Sequence, residues 1–347
     1  MLLTQTQLNK ALLDLTVRFL GAAAPFHEAA CYTHRDTQQV GSYYKVDLMA
    51  NAGARSRAGT ALRLNELATA PGGEPMATET TITSGTFATV NYRTRELIPY
   101  QVLKPGSGAE LGPVATVTRR VLRRLVNDMD RAFALLFADD DLYAAANKST
   151  LTTGAAGTSW APASYASANT DPLGVIRAGA DAVLKTIGHR PNVLLGTGDA
   201  IGALCDHPDV ADLVKYTDAG VRFLSDATPV PEIRGMKIVR ADSVINSAAP
   251  GATAVPAYAL RDVDLGLSCV IMAYVPDPST FDGTCSFLRI LVPTPAQGGY
   301  GPTVRTYRDD DREGTWVDAE VSFDLRAPAV DGSSNIVGAY LVQSVII

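Results

Sequence analysis

The sequence predicts an α+β fold, on three observations. Residues 111–138, LGPVATVTRRVLRRLVNDMDRAFALLFA, carry the strongest helical periodicity, with Val117, Val121, Leu125, Met129, Ala132 and Leu136 recurring at intervals of three and four. Strand-like runs fill much of residues 235–347. Two earlier strand-like runs, 42–50 and 82–98, flank about thirty residues that are too polar and too rich in Gly, Ala and Pro to make a core of their own.

At the amino end, Leu8, Leu12, Leu15 and Phe19 fall at spacings of four, three and four, one face of a short amphipathic helix that Thr4 or Thr6 can cap. An extended arm is expected after it. No positive charge precedes Lys10, and Asp14 and Arg18 interrupt the apolar stretch, so the segment is not read as a secretory signal. The chain is read as keeping its amino terminus, with no large pro-segment removed. SYYKVDLMA (42–50) and ITSGTFATVNYRTRELI (82–98) each read as one strand, Phe87, Val90 and Tyr92 lying among threonines of strand propensity. If the two pair, the insert between them is a long hairpin arm. Such a ribbon is marginal in water unless another surface receives it.

The Pro105–Gly108 break leads into the 111–138 helix, roughly 30–40 Å long at 1.5 Å per residue. Pro113 is tolerated in its first turn, and Asp139-Asp140-Asp141 stops it where acidic groups oppose the helix dipole. Residues 144–170 read as a low-complexity connection with strand fragments at best. Asp171 as N-cap, Pro172 at N1 and Gly188 at C′ then bound a helix with Ile176, Ala180, Val183, Leu184 and Ile187 on one side. PNVLLGTGDAIGALCDHPDVADLVKYT (191–217) reads as a buried strand, a glycine turn, a short helix and a second short helix opened by Pro208-Asp209. Strands are expected within 235–245, 257–275, 286–293, 303–325 and 336–347. No internal repeat is visible.

Composition narrows the function classes. The 347 residues are 46% hydrophobic and 19% charged, enough for a sizeable core and unlike a disordered chain. With 30 basic against 36 acidic residues the net charge is −6, which excludes a basic nucleic-acid-coating protein while leaving room for a local basic patch. No run of about 18 apolar residues indicates a membrane span. Cys31, Cys205, Cys269 and Cys285 are widely spaced without a CxxC pair, as expected of reduced, buried thiols. Arg outnumbers Lys 23 to 7, from genome composition or from a demand for bidentate contacts between subunits. Arg119, Arg120, Arg123 and Arg124 form one basic cluster on the long helix. Three uses stay open for it: a solvated face with Arg124–Asp128 pairing, inter-subunit salt bridges, or contact with phosphate.

The sequence carries no catalytic constellation. Gly196-Thr197-Gly198-Asp199-Ala200-Ile201-Gly202 follows a strand and opens a helix, as a pyrophosphate cradle would. Its spacing is GxGxxxG, however, Asp199 stands where phosphate would sit, and no acidic strand end follows about 20 residues on. A tight strand-to-helix turn is expected instead. His27, Cys31 and His34 lack zinc spacing, Cys205 and His207 do not share a helix face, and Asp309-Asp310-Asp311 lacks the periodicity and glycine of a calcium loop, so it reads as a solvated hairpin turn. GxSxG, HExxH and GxxxxGK[ST] are absent. No catalytic residue, metal or cofactor is assigned.

In RPNVLLGTGDAIGALCDHPDVADLVKYT, a hydrophobic strand, a small-residue turn and a helix, His-Pro-Asp, helix, Lys-Tyr-Thr passage follow one another. This stretch resembles the major capsid proteins of tailed bacteriophages, of the Hong Kong 97-like fold. TVNYRTRELIP leading into the Arg-rich helix resembles their passage from E-loop to spine helix, and Gly338-Ala339-Tyr340-Leu341 fits their closing strand. The resemblance runs in element order over roughly residues 40–347 and is specific at residue level over 191–217.

The resemblance implies an N-terminal arm with its short helix (1–41), an E-loop β-hairpin (42–98), a P-domain with the spine helix (99–190), an A-domain (191–300) and closing strands (301–347). It implies a structural, non-enzymatic protein that assembles with itself as hexamers and pentamers into an icosahedral shell. Portal protein is an expected partner, scaffolding or decoration proteins are possible ones, no membrane is involved, and double-stranded DNA is enclosed with weak, non-specific contact. The expected location is the virion, reached through host cytoplasm during assembly. Arg119, Arg120, Arg123 and Arg124, with Arg55, Arg57 and Arg63 of the loop, are the candidate inter-subunit or inner-surface contacts. Some relatives weld their shells through an E-loop lysine and a neighbour's asparagine. Here no lysine lies between Lys45 and Lys104, so no such cross-link is expected. The alternatives are an encapsulin-like nanocompartment shell and, from another class, a nucleotide-binding enzyme using the Gly196–Gly202 turn.

Overall fold

Strands that alternate apolar with polar residues and strands that are apolar throughout build two different sheets. The computed structural model describes residues 25–46, 82–100, 111–152, 158–164, 170–214, 232–246, 253, 255–261, 267–277, 285–294, 300–331 and 333–346. In chain order the elements are α1 (Phe26–Ala30), β1 (Tyr32–Arg35), β2 (Val40–Val46), β3 (Ile82–Ala88), β4 (Val90–Pro99), α2 (Leu111–Phe137), β5 (Lys148–Thr150) and α3 (Pro172–Ile187). There follow β6 (Val193–Thr197), α4 (Gly198–Asp206), α5 (Pro208–Val214), β7 (Glu232–Ile233), β8 (Met236–Ala241), β9 (Val244–Asn246) and β10 (Pro256–Tyr258). The last are β11 (Val270–Ala273), β12 (Leu288–Val292), β13 (Thr303–Asp309), β14 (Gly314–Arg326) and β15 (Ala339–Gln343).

The first sheet runs β1-β12-β14-β13, with β4 on the other edge of β14. β14 is its axis. Val317, Ala319, Val321, Phe323 and Leu325 point into the core, while Trp316, Asp318, Glu320 and Ser322 fall on the opposite face, the period of two of a strand. α2 packs on the apolar side, against β14 and β4. Its 27 residues make about 40 Å of helix. Val117, Val121, Leu122, Leu125, Met129 and Phe133 are buried, whereas Thr116, Arg119, Arg120, Arg123, Arg124 and Arg131 are exposed. The helix ends at Phe137, close to the expected position. The Tyr143 hydroxyl donates to the Phe137 carbonyl at 2.8 Å, and Asp139 caps the following 3-10 turn by accepting from the Asp141 amide.

Two expectations change here. The run 82–98 is two strands, broken at Thr89: β3 pairs antiparallel with β2, then β4 crosses to pair with β14. No glycine or proline marks the break. The chain changes partner there, the Thr89 amide donating to Gln39 O at 2.8 Å and the Ala88 amide to the Asp324 carboxylate at 3.1 Å. Within the span expected as an arm, residues 26–35 are folded onto the body. β1 runs parallel to β12, and the Phe26 ring packs 5.8 Å from Phe133, which also meets Phe137 and Phe287. Full burial of rings of this kind contributes about 1.5–3 kcal/mol each. The amphipathic helix expected over 1–20 and the insert between the hairpin strands lie outside the described residues.

The second sheet runs β5-β15-β11-β6-β8-β7. Its central strands VLLGT, VIMA and AYLVQ are buried at every position, because both faces are covered. Leu195, Ile271 and Leu341 face the core beneath α2, and Leu194, Val270, Met272 and Val342 face the core shared with α3 and α4. α3 has the predicted ends: the Asp171 carboxylate accepts from Gly174 N at 2.7 Å, and Gly188 adopts φ 74°. Gly179 lets α3 sit on the sheet, since a Cβ there would come within 2.1 Å of Met272 Cε. The connection 144–170 contributes more than expected. β5 joins β15 in parallel, and Trp160, fully buried, donates its amide to Val345 O at 2.9 Å.

Candidate functional site

The arginine cluster predicted on the long helix stands on the solvent face of α2. Arg120 reaches back to β4, its Nε donating to Glu96 Oε2 at 3.0 Å, with the Arg120 side chain 63% exposed. Arg119, Arg123 and Arg124 are exposed and make no ion pair among the described residues. The expected Arg124–Asp128 pair does not close to an ion pair. Burial raises the Asp128 carboxyl, opposed by the charges of Arg124 and Arg131. Arg131 lies on the same face and was missed in the sequence, although its spacing of seven from Arg124 continues the stripe. Arg55, Arg57 and Arg63 lie outside the described residues.

A second charged constellation covers the polar face of β14, and sequence patterning did not single it out. The fully buried Asp318 carboxylate accepts from Arg93 Nε at 2.6 and 2.8 Å, and from Arg305 Nε at 2.9 Å. Register places Arg305 directly opposite this acid, and Arg93 reaches it from the neighbouring position opposite Glu320. Arg95 lies 4.7 Å over the Trp316 ring, whose Nε1 donates to Asp309 at 2.8 Å. The triad Asp309-Asp310-Asp311 forms the β13–β14 turn, as expected. The Trp316 hydrogen bond holds the Asp309 carboxyl below its usual range, and Arg308 with Tyr100 does the same for Asp310.

The Gly196–Gly202 segment is a filled turn. A Cβ on Gly198 would come within 2.7 Å of the Asp242 carboxylate and 3.0 Å of both Arg240 Nε and Tyr258 OH. The Asp199 carboxylate accepts from Ala200 N and Ser268 Oγ at the helix start. The turn is thus packed on Arg240, Asp242 and Tyr258, and a carboxylate stands at the helix start. The four cysteines are free and buried, and burial pushes the Cys31 thiol up to about 12, far from a nucleophile's range. Among the described residues no three His, Cys, Asp or Glu are placed to hold a metal ion, and no helix is long and apolar enough to cross a membrane.

A buried polar knot joins three parts of the chain. His27 Nδ1 lies 2.6 Å from Asp130 Oδ1 on α2, and Ser243 Oγ, in the β8–β9 turn, donates to the other carboxylate oxygen. The serine here donates to the acid and is not aligned on the imidazole, so the trio is a tether and not a nucleophile with its base.

No protein-family model matches the chain. A curated relative, the major capsid protein of Burkholderia phage BcepMu, is 31% identical over 113 residues, covering 32% of this chain and 33% of the relative. The match thus spans about a third of the relative's length. A solved phage-related protein of Bordetella bronchiseptica superposes with a TM-score of 0.60 at 18% identity, over 95% of this chain and 96% of that one. The holo-SrpI encapsulin complex of Synechococcus elongatus gives 0.52 at 9% identity, over 92% and 87%. A solved chain of Mycobacterium phage Bobi gives 0.52 at 13%, over 91% and 89%. The chain has the Hong Kong 97-like fold, and its resemblance to tailed-phage major capsid proteins stands.

Proposed function

We propose that this chain is the structural shell subunit of a tailed-phage head, assembling with itself as hexamers and pentamers around double-stranded DNA. One observation carries the proposal: β2 and β3 form a two-stranded sheet of their own, leading out to residues 47–81. A ribbon of two strands is marginal in water, and Val40 on it is 67% exposed. Phe87 pins one face of the ribbon to the body, and neighbouring subunits in a closed shell supply cover for the rest. The whole-chain likeness to a phage-related protein and the capsid relative over 113 residues support the same reading.

In this role the chemistry is association, and the filled turn at Gly198 suits it. The division proposed is an arm over 1–41, the hairpin over 42–98, a P-domain over 99–190, an A-domain over 191–300 and closing strands over 301–347. Portal protein, and scaffolding or decoration proteins, are partners within the proposal, as are the virion and the host cytoplasm as its places. The likeness to an encapsulin favours one second reading, a nanocompartment enclosing protein cargo.

Sedimentation and micrographs of the recombinant full chain test the proposal. Closed shells are the expected result, and monomers or small oligomers alone across salt, pH and crowding conditions would overturn it. Native particles then separate the two shells. Nuclease-resistant nucleic acid and a high ratio of absorbance at nucleic-acid to protein wavelengths mark the phage head, and co-purifying protein cargo without nucleic acid marks the nanocompartment.

A further inference from the structure

We propose that the exposed arginine stripe of α2 is a phosphate-binding surface that lies along the backbone of duplex DNA inside the shell. The choice of DNA as occupant rests on the proposed shell function; the phosphate chemistry rests on the helix itself. Arg119, Arg120, Arg123, Arg124 and Arg131 are all exposed on one face. From Arg119 to Arg131 the helix rises about 18 Å, long enough to follow several phosphates. The opposite face, Val121, Leu122, Leu125, Met129 and Phe133, is buried, so the rotational setting of the stripe is fixed by the core.

Some arginines elsewhere are matched by acids and others, Arg177, Arg190 and Arg261 among them, make no ion pair among the described residues; what sets α2 apart is that its unmatched arginines share one helix face. Arg93 and Arg305 share Asp318, Arg289 meets Glu28, Arg308 meets Asp310 and Arg326 meets Asp324. On α2 only Arg120 has such a partner, Glu96. Arg119, Arg123, Arg124 and Arg131 make no ion pair among the described residues. Arginines at i, i+4 repel, which disfavours the helix until an anion screens them. Four unmatched arginines on one face of a helix, with the exposed Asp128 beside Arg124 and Arg131, make a locally basic surface fitted to an external anion on a chain of net charge −6. Guanidinium forks suit phosphate oxygens, and the spacing along a rigid helix suits a repeating polyanion rather than one small ion.

Fluorescence anisotropy of a labelled duplex of arbitrary sequence, titrated with unassembled full-length subunit, tests the stripe. If four arginines each meet a phosphate, log affinity falls with log salt at a slope of about −3.6, so binding weakens on the order of 10²-fold between 50 and 200 mM salt. R119Q/R123Q/R124Q/R131Q is expected to bring the slope near zero with an unchanged far-UV circular dichroism spectrum. Single R123Q and R131Q are each expected to remove about 0.9 from it, which keeps the test decisive if the quadruple variant misfolds. Wild-type affinity and slope in the variants would overturn the proposal, as would a flat slope in the wild type. Variants that bind DNA normally but no longer form shells would reassign the stripe to a subunit contact. Salt-dependent binding by a chain that never forms shells would uphold the stripe and sink the shell.

Discussion

His27 and Asp130 meet at 2.6 Å with both side chains buried, joining the amino-terminal segment to the long helix. A carboxylate can only accept, so the proton sits on Nδ1, and Nε2 is left buried without a hydrogen-bond partner. Burial, the largest effect, lowers the imidazole below its ordinary 6.5, and Arg289 adds to it, against Asp130 and Glu28. The unfolded chain therefore binds this proton more readily than the folded one. Stability from the neutral imidazole is complete above pH 6.5 and is lost as pH falls below it. Urea titrations of the unassembled subunit are expected to lose up to about 1.4 kcal/mol per pH unit in that window from this group. His27→Gln, which keeps a donor for Asp130, is expected to flatten that part of the profile; an unchanged slope would refute the assignment.

Asp318 gives a second prediction. Its carboxylate is fully buried, while the Arg93 and Arg305 side chains are 41% and 32% exposed. Breaking a buried pair costs about 3–5 kcal/mol, but arginines this exposed turn to water, which discounts the loss. Asp318→Asn is expected to cost about 2 kcal/mol and Arg305→Ala about 1 kcal/mol, measured by denaturant midpoint at constant slope. Equal losses from the two would show that Asp318 is not the shared centre.

How much of this was legible follows from the range of each signal. Helix phase, the Asp171 cap and the αL Gly188 are set within a few residues, so local pattern placed them. The turn at Gly198 was legible as a turn, but its occupants, Asp242 of the β8–β9 turn and Tyr258 of β10, come from distant parts of the chain. The switch at Thr89 has no local mark, because it is a change of partner between Val40 and Phe323. His27–Asp130 spans 103 positions, and periodicity names a buried face without naming what it meets. Arg131 could have been read from helical spacing alone. The acid–arginine set around Asp318 could not, since it depends on the register of three strands.

The span between β2 and β3 yields a chemical prediction. Forming an isopeptide cross-link there needs a lysine, and none lies between Lys45 and Lys104. Mature particles on a denaturing gel are expected to give a single subunit band and no ladder. Bands at multiples of the subunit mass would overturn it.

Phe87 decides how the hairpin is held. It is 1% exposed, packed with Cys285, Leu288 and Ile290, and Gly41 opposite leaves it room: a Cβ there would lie 2.6 Å from the ring. β2 pairs only with β3 among the described residues, so this ring is the main apolar anchor of the ribbon to the body. Phe87→Ala removes that anchor at about 3–5 kcal/mol of local packing, and Gly41→Val displaces the ring instead. Because the core between β14 and α2 is built on other residues, among them Phe287, Leu291, Val317 and Val321, the subunit is expected to keep its far-UV circular dichroism in both variants. Protease sensitivity between residues 47 and 81 should rise and shell formation should fall. Wild-type assembly by Phe87→Ala would mean that the hairpin is positioned by its neighbours alone and not by its own base.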